Sequence, residues 1–216
     1  MLVEEMMITD VYTLSKDDSI KTAVEGMKKR KIRHLPIVDR ENSLIGIVTD
    51  RDIRSAGPSV FCTDEQKQFL ENPLETIMTT DVITVHPLDF VEEVAAMFYQ
   101  HQIGSLPVVK MGKLVGIITQ TDVLKTFVEL TGTDQPGTQI EIRVPNKPGT
   151  LADILQRIRH FHTNVQSVFI YPDKLKTETK IIVLRLGTID PNPIVQTLKE
   201  HRYDILWPNV SGYHNE

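Results

Sequence analysis

Cysteine is nearly absent from this chain of 216 residues: Cys62 stands alone, so neither an internal disulfide nor a cysteine-rich metal site can form, which suits a reducing cytoplasm. Long apolar runs are missing as well. Nowhere do eighteen consecutive apolar residues occur, and the first ten residues, with Glu4 and Glu5, lack the basic-then-apolar order of a secretion signal. The expectation is a soluble, cytoplasmic protein with no membrane partner. Positive charge is in short supply: 24 Lys and Arg against 29 Asp and Glu leave a net charge of −5 and a pI near 5.8. That balance lacks the basic field that draws a protein onto phosphate backbones, so no nucleic-acid partner is expected. Catalytic signatures are absent too, with no Gly-x-x-x-x-Gly-Lys-Ser/Thr loop, no Gly-x-Gly-x-x-Gly turn and no His-Glu-x-x-His pair. His160 and His162, two residues apart, face different sides of a helix end, and His34, His86 and His101 form no cluster, so no metal is expected.

What is there is ordinary globular composition, 40% hydrophobic and 25% charged, in a length that suits two or three small domains. Most of it is a repeat. Met7-Ile-Thr-Asp-Val11-Tyr12-Thr13 aligns at an offset of 71 with Met78-Thr-Thr-Asp-Val82-Ile83-Thr84, and both read as strands. Ile20, Ala23, Val24 and Met27 match Val91, Val94, Ala95 and Phe98 at helical spacing, with Asp18 and Asp89 as expected N-caps and Glu92 completing a capping box. A hairpin follows in each: Ile32 to Val38 with Leu44 to Thr49, and Ile103 to Val109 with Leu114 to Thr119. The turns between them differ by one residue, where an insertion is tolerated. Asp52 and Asp122 open a closing helix, giving strand, helix, strand, strand, helix twice.

The repeated Leu-Pro pairs, Leu35-Pro36 and Leu106-Pro107, together with Gly46-Ile-Val-Thr49-Asp-Arg-Asp52 and Gly116-Ile-Ile-Thr119-Gln-Thr-Asp122, resemble the CBS motif. The resemblance implies a CBS-domain pair of two β-α-β-β-α units, with residues 1–60 and 76–132 as the repeats and 61–75 as a connector that holds a short helix after the break at Ala56-Gly-Pro-Ser59. It also implies a regulatory ligand rather than a cofactor: an adenine nucleotide, AMP, ADP or ATP. By the same resemblance the Asp of each motif takes the ribose diol, with its Thr beside the sugar or phosphate. One site then gathers Val11, Tyr12, Thr13, Arg33, His34, Pro36, Thr49, Arg51 and Asp52, and a second gathers Val82, Ile83, Thr84, Ser105, Pro107, Thr119 and Asp122. The residues alone leave another reading open, in which each Asp is only a helix cap and each Thr only a strand end. Lys31, Arg33, Arg51 and Arg54 in the first repeat stand where the second has Gln102, Gly104, Thr121 and Leu124, so the first site better suits several phosphates. Such a charge cluster is equally a solvated face.

Leu130 to Gly137 has linker composition, with 133–138 as the linker proper, and the pattern changes beyond it. Strands at 139–144, 163–171, 178–187 and 203–207 and helices from Leu151 and near Pro191 give βαββαβ, a ferredoxin-like order that makes the whole chain α+β. Through Val144-Pro-Asn146-Lys-Pro-Gly149-Thr-Leu151, residues 139–216 resemble an ACT domain. That likeness implies an amino-acid ligand near Asn146, Gly149 and Leu151, with Asn164 contributed across a homodimer interface; Pro148-Gly149 is otherwise a tight turn. The complete order resembles the acetoin-utilisation proteins. This implies a non-catalytic regulator in acetoin or butanediol catabolism that acts on a metabolic enzyme partner. A small enzyme with an unfamiliar site and a nucleic-acid-binding regulator stay open as other classes.

Overall fold

The apolar spacing of each repeat becomes a helix buried along one face. α1 (Ile20–Arg30) buries Ile20, Ala23 and Met27, and α4 (Val91–His101) buries Val91, Val94 and Phe98; Val24, expected in the stripe, is exposed. The helix starts differ from expectation. Ser19 caps α1 by accepting the Thr22 N–H, and Phe90 precedes α4 with no side-chain cap. Asp18 and Asp89 instead accept the N–H groups of Ser15 and His86, each at 2.7 Å, closing the turn before the helix and displacing the cap by one residue.

These coordinates come from a computed structural model that describes residues 1–57 and 63–208; Cys62 and the break at Pro58-Ser59 lie outside the described residues. Two compact units divide at Leu124/Lys125. The division falls inside α5 (Gln120–Thr131).

In the first unit, β1 (His34–Val38) pairs antiparallel with β2 (Leu44–Thr49), and β3 (Ser105–Lys110) with β4 (Lys113–Thr119). Both hairpins shift register at the same point, between Ile37 and Val38 and between Val108 and Val109. α2 (Asp50–Ala56) and α5 follow them. The connector forms α3 (Thr63–Glu71), from which Phe69 and Leu70 pack onto the first repeat's core.

The segments that lead into the repeats are not regular strands, because each one crosses over. Val3 is fully buried in the core of the second repeat, and Leu74, its equivalent 71 residues on, is fully buried in the core of the first. Ile8 exchanges two backbone hydrogen bonds with Ile117 (2.9 and 3.0 Å), and Thr79 does the same with Ile47 (3.0 and 2.9 Å). Only then does each segment return to its own hairpin, through bridges from Leu14 to Ile37 and from Val85 to Val108. The motif glycines make the crossing possible. A Cβ on Gly46 would lie 2.9 Å from Met78 Sδ and 3.1 Å from the Thr79 carbonyl, and one on Gly116 would lie 2.6 Å from Met7 Sδ and 3.1 Å from the Ile8 carbonyl.

The second unit is a four-stranded sheet in the order β6-β7-β5-β8, made of β5 (Thr138–Pro145), β6 (Val165–Pro172), β7 (Thr179–Leu186) and β8 (Asp204–Trp207). α6 (Thr150–Ile158) and α7 (Asn192–Glu200) bury Ile154, Ile158, Ile194, Val195 and Leu198 against Ile140, Ile142, Ile182, Leu184 and Leu186. The linker is tied down rather than loose: Gln166 Nε2 donates to the Pro136 carbonyl at 3.0 Å and Arg185 to that of Gln135 at 2.7 Å.

Asp173 organises one end of this sheet. Its side chain is 1% exposed, lies 2.6 Å from Arg143 Nε and accepts from Thr179 Oγ1 and the Leu175 N–H. The Leu175 N–H, then Arg143 and Thr179, hold its pKa at about 2, below the ordinary 3.8. A depressed native pKa means stability that is present above about pH 4 and lost as the pH falls towards 2. Asp153, held low chiefly by Tyr203 and then Arg157, acts in the same direction. Thermal melts between pH 5 and 2 should therefore show a falling midpoint, and Asp173→Asn should flatten that fall while lowering stability at neutral pH.

Candidate functional site

The crossing decides which residues meet. One cleft, of about 730 Å³, combines Val11, Tyr12, Arg33, His34 and Arg51 of the first repeat with Thr119 and Asp122 of the second. A smaller one, of about 340 Å³, combines Val82, Ile83 and Ser105 with Thr49 and Asp52, again with His34 and Arg51. The Thr–Asp pairs are thus exchanged relative to the grouping expected from the sequence, because Ile8 and Thr79 each pair with the opposite hairpin. Four expected residues line neither cleft: Pro36 and Pro107 are buried within their strands, Thr13 is half-buried and Thr84 is exposed.

Each Thr–Asp pair forms the same closed box at a helix start. Asp52 Oδ2 accepts from the Thr49 N–H (2.8 Å) and hydroxyl (2.7 Å), while its own N–H donates to Thr49 Oγ1 at 3.2 Å. Thr119 and Asp122 repeat this at 2.8, 2.7 and 3.3 Å. Capping and ligand binding are therefore compatible. Oδ2 serves the helix, and Oδ1, which has no partner among the described residues, is left to accept from a ligand. The threonine hydroxyls donate to the carboxylates, so Thr49 and Thr119 hold each acid in place.

Around the larger cleft stand Arg30, Lys31, Arg33, Arg51 and Arg54 against three carboxylates, Asp10, Asp50 and Asp122. Arg54 is committed to Asp50 (2.8 Å), and Arg30 lies 4.4 Å from the centre of the Tyr12 ring. That ring rests against α1 because residue 26 is glycine; a Cβ there would strike the ring carbons and hydroxyl. Lys31, Arg33 and Arg51 form no ion pair among the described residues. Lys31 and Gln102 end their helices at φ 57° and 53°, a left-handed conformation that costs a non-glycine residue roughly 1 kcal/mol. Each lines its own cleft. His34 borders both clefts beside Gly104, and burial, more than any neighbouring charge, pushes its imidazole below the ordinary 6.5, so the ring is neutral at pH 7.

In the second unit, an open depression of about 750 Å³ lies beside Gly149, which precedes α6 at φ +84°. Lys147, Thr150, Asp153, His201 and Tyr203 share it. Asn146 is exposed next to this loop and gives its N–H to the Glu178 carbonyl, whereas Leu151 is a half-buried core residue. Asn164 is far from the loop: its carbonyl accepts from Gly187, at the opposite end of β7 from Thr179, and one chain does not bring it to Gly149.

Asp10, Arg30, Asp50, Asp81 and Gln120 line the clefts without having been singled out in the sequence. Asp10 and Asp81 carried a signal, since they occupy equivalent places in the leading segments. Arg30 and Gln120 carried none.

The CBS-domain profile matches residues 3–59 and 74–129, and the ACT-domain profile matches residues 138–202. A CBS domain-containing protein of Dictyostelium discoideum is 31% identical over 134 residues, 60% of this chain and 92% of that protein. An inosine-5′-monophosphate dehydrogenase of Methanocaldococcus jannaschii is 34% identical over 123 residues, 56% of this chain, which spans only 23% of that enzyme. Among solved structures, a protein of Vibrio cholerae assigned to acetoin utilization (AcuB) is 36% identical with a TM-score of 0.55, covering 62% of this chain and 96% of that one. The CBS-domain pair of protein MJ0100, solved with 5′-methylthioadenosine and S-adenosyl-L-methionine, is 33% identical with a TM-score of 0.51, covering 59% and 95%. Among the described residues no helix is long and apolar enough to cross a membrane.

Proposed function

The chain belongs to the CBS-domain family and carries an ACT domain behind the pair, both regulatory modules, and from this we propose that it senses adenine nucleotides in the larger cleft. The observation that carries the proposal is the meeting of Asp122, with Oδ1 open to a ribose diol, and the cations Lys31, Arg33 and Arg51, which have no ion pair among the described residues. α5 adds to it. Of the N–H groups at its start, that of Gln120 is taken by the Gly104 carbonyl and that of Asp122 by Thr119, which leaves Thr121 for a phosphate oxygen at the positive end of a helix of 12 residues. A volume of about 730 Å³ is in the range of small-molecule sites. The adenosine ligands of the MJ0100 pair point the same way.

Calorimetry with AMP, ADP and ATP on the full chain tests the reading. Binding should strengthen with phosphate number, and Arg33→Ala should reduce the ATP-over-AMP preference about fivefold to tenfold, the low end for a charge-assisted bond at an exposed position. Absence of heat with all three nucleotides sinks the proposal.

The wider role follows the same lines. A homodimer responds to nucleotide, and to an amino acid bound beside Gly149, by changing how it meets a metabolic enzyme; the likeness to the Vibrio cholerae protein favours acetoin catabolism as the setting. Such coupling requires ligand affinities that differ between two arrangements.

A further inference from the structure

We infer that the smaller cleft selects an adenosine compound that carries no phosphate, so that one protein distinguishes two adenosine ligands by the charge on their 5′ substituent. This rests on the reading of the clefts as adenosine sites and extends it to a ligand class that the larger cleft does not favour. The two clefts share one plan, with Thr–x–x–Asp from one repeat facing a Val-led segment from the other. They differ at equivalent positions. Lys31 of the larger cleft is replaced in the smaller by Gln102, and Arg33 by Gly104. Asp50 and its counterpart Gln120 border both clefts, and each cleft has three carboxylates: Asp50, Asp52 and Asp81 in the smaller, Asp10, Asp50 and Asp122 in the larger. Against these the smaller cleft sets Arg51 alone, where the larger sets Arg30, Lys31, Arg33, Arg51 and Arg54.

A phosphate in the smaller cleft would face as many carboxylates as in the larger cleft with one guanidinium to offset them, and that guanidinium also borders the larger cleft, where other phosphates compete for it. α2 offers little compensation: it has seven residues, and Asp50 and Asp52 sit in its first turn. The ribose site is undiminished, because Asp52 holds the same box geometry as Asp122, with Oδ1 without a partner among the described residues. With about 340 Å³ the cleft has less than half the room of its neighbour, enough at the small end of ligand sites for a nucleoside. What remains is a place for adenine and ribose with a neutral or cationic 5′ substituent.

The test is calorimetry on the full chain with ATP, AMP, adenosine and 5′-methylthioadenosine. In protein already saturated with ATP, 5′-methylthioadenosine should still bind, and more than about tenfold tighter than AMP does under the same conditions. Asp52→Asn should abolish that second event and weaken ATP binding far less, through the cap of α2 alone. Asp81→Lys, which lies outside the helix box and leaves it intact, should raise AMP affinity at the smaller cleft by about tenfold and keep the variant informative if Asp52→Asn is unstable. The inference is overturned if AMP and 5′-methylthioadenosine bind the ATP-saturated protein equally, if Asp81→Lys does not discriminate between them, or if 5′-methylthioadenosine only competes with ATP. These failures leave ATP binding standing. Absence of binding by every adenosine compound would instead remove the reading on which the inference rests, and the inference with it.

Discussion

Asp122→Asn should weaken AMP and ATP binding in the larger cleft by roughly tenfold to a hundredfold, corresponding to the 1.5–3 kcal/mol of hydrogen bonds to a charged acceptor. The carboxylate divides its work: Oδ2 holds the Thr119 N–H and hydroxyl, at 2.8 and 2.7 Å, and Oδ1 is left for ribose. An amide can keep its carbonyl towards the Thr119 N–H, but it then turns an NH₂ on the ribose hydroxyls, two donors where two acceptor sites were needed. A melting curve separates this loss from loss of the cap, which costs about 1 kcal/mol. The partner experiment is informative because the clefts are crossed. Tyr12 and Arg33 belong to the first repeat, yet Asp52→Asn in that same repeat, which touches their cleft only through the cap of α2, should cost nucleotide affinity far less than Asp122→Asn. Equal damage from both substitutions would mean that the repeats do not exchange their acids.

Gly116→Val should destabilise the first unit by about 1–3 kcal/mol, the usual cost of forcing atoms into a filled space. For a chain of this size that lowers the melting midpoint by roughly 2–4 °C per kcal/mol. The obstruction has a soft side and a hard side. Met7 Sδ, 2.6 Å from the added Cβ, can swing away, but the Ile8 carbonyl at 3.1 Å is held by the Ile117 N–H and cannot retreat without breaking the crossing. Met7→Ala should therefore relieve only part of the penalty, giving a double mutant less unstable than the sum of the singles. Because Ile8 and Ile117 line the larger cleft, nucleotide affinity should fall along with stability.

Much of this fold is legible in the chain because its elements are local. The spacing of Ile20, Ala23 and Met27 is enough for α1, and the alternation over 139–144 is enough for β5. The ACT-type order of strands and helices follows in the same way. The crossing is not local, and it accounts for what the sequence concealed. Nothing near Val3 says that it packs beside Phe98, and nothing near Leu74 says that it packs beside Ile20. The individual cleft residues could be picked out from the duplicated motif, but their assignment to clefts depends on two pairs of backbone bonds, at Ile8 and at Thr79, between segments about a hundred and about thirty residues apart. Pro36 and Pro107 line neither cleft for a simpler reason: a motif marks positions, and burial within the strand decides what a side chain there faces.

The crossing also has a bearing on ancestry and divergence. Two separate copies of a single repeat, associating with their leading segments exchanged about a twofold axis, would build two clefts forced to be identical, since any substitution would appear in both. Joining the copies in one chain lifts that constraint while keeping the mutual embrace, so Arg33 could be gained without an arginine at Gly104, and Asp50 without an aspartate at Gln120. In a single chain each half can place its acid in the other's cleft while the two clefts differ in charge, a freedom that a pair of identical copies lacks.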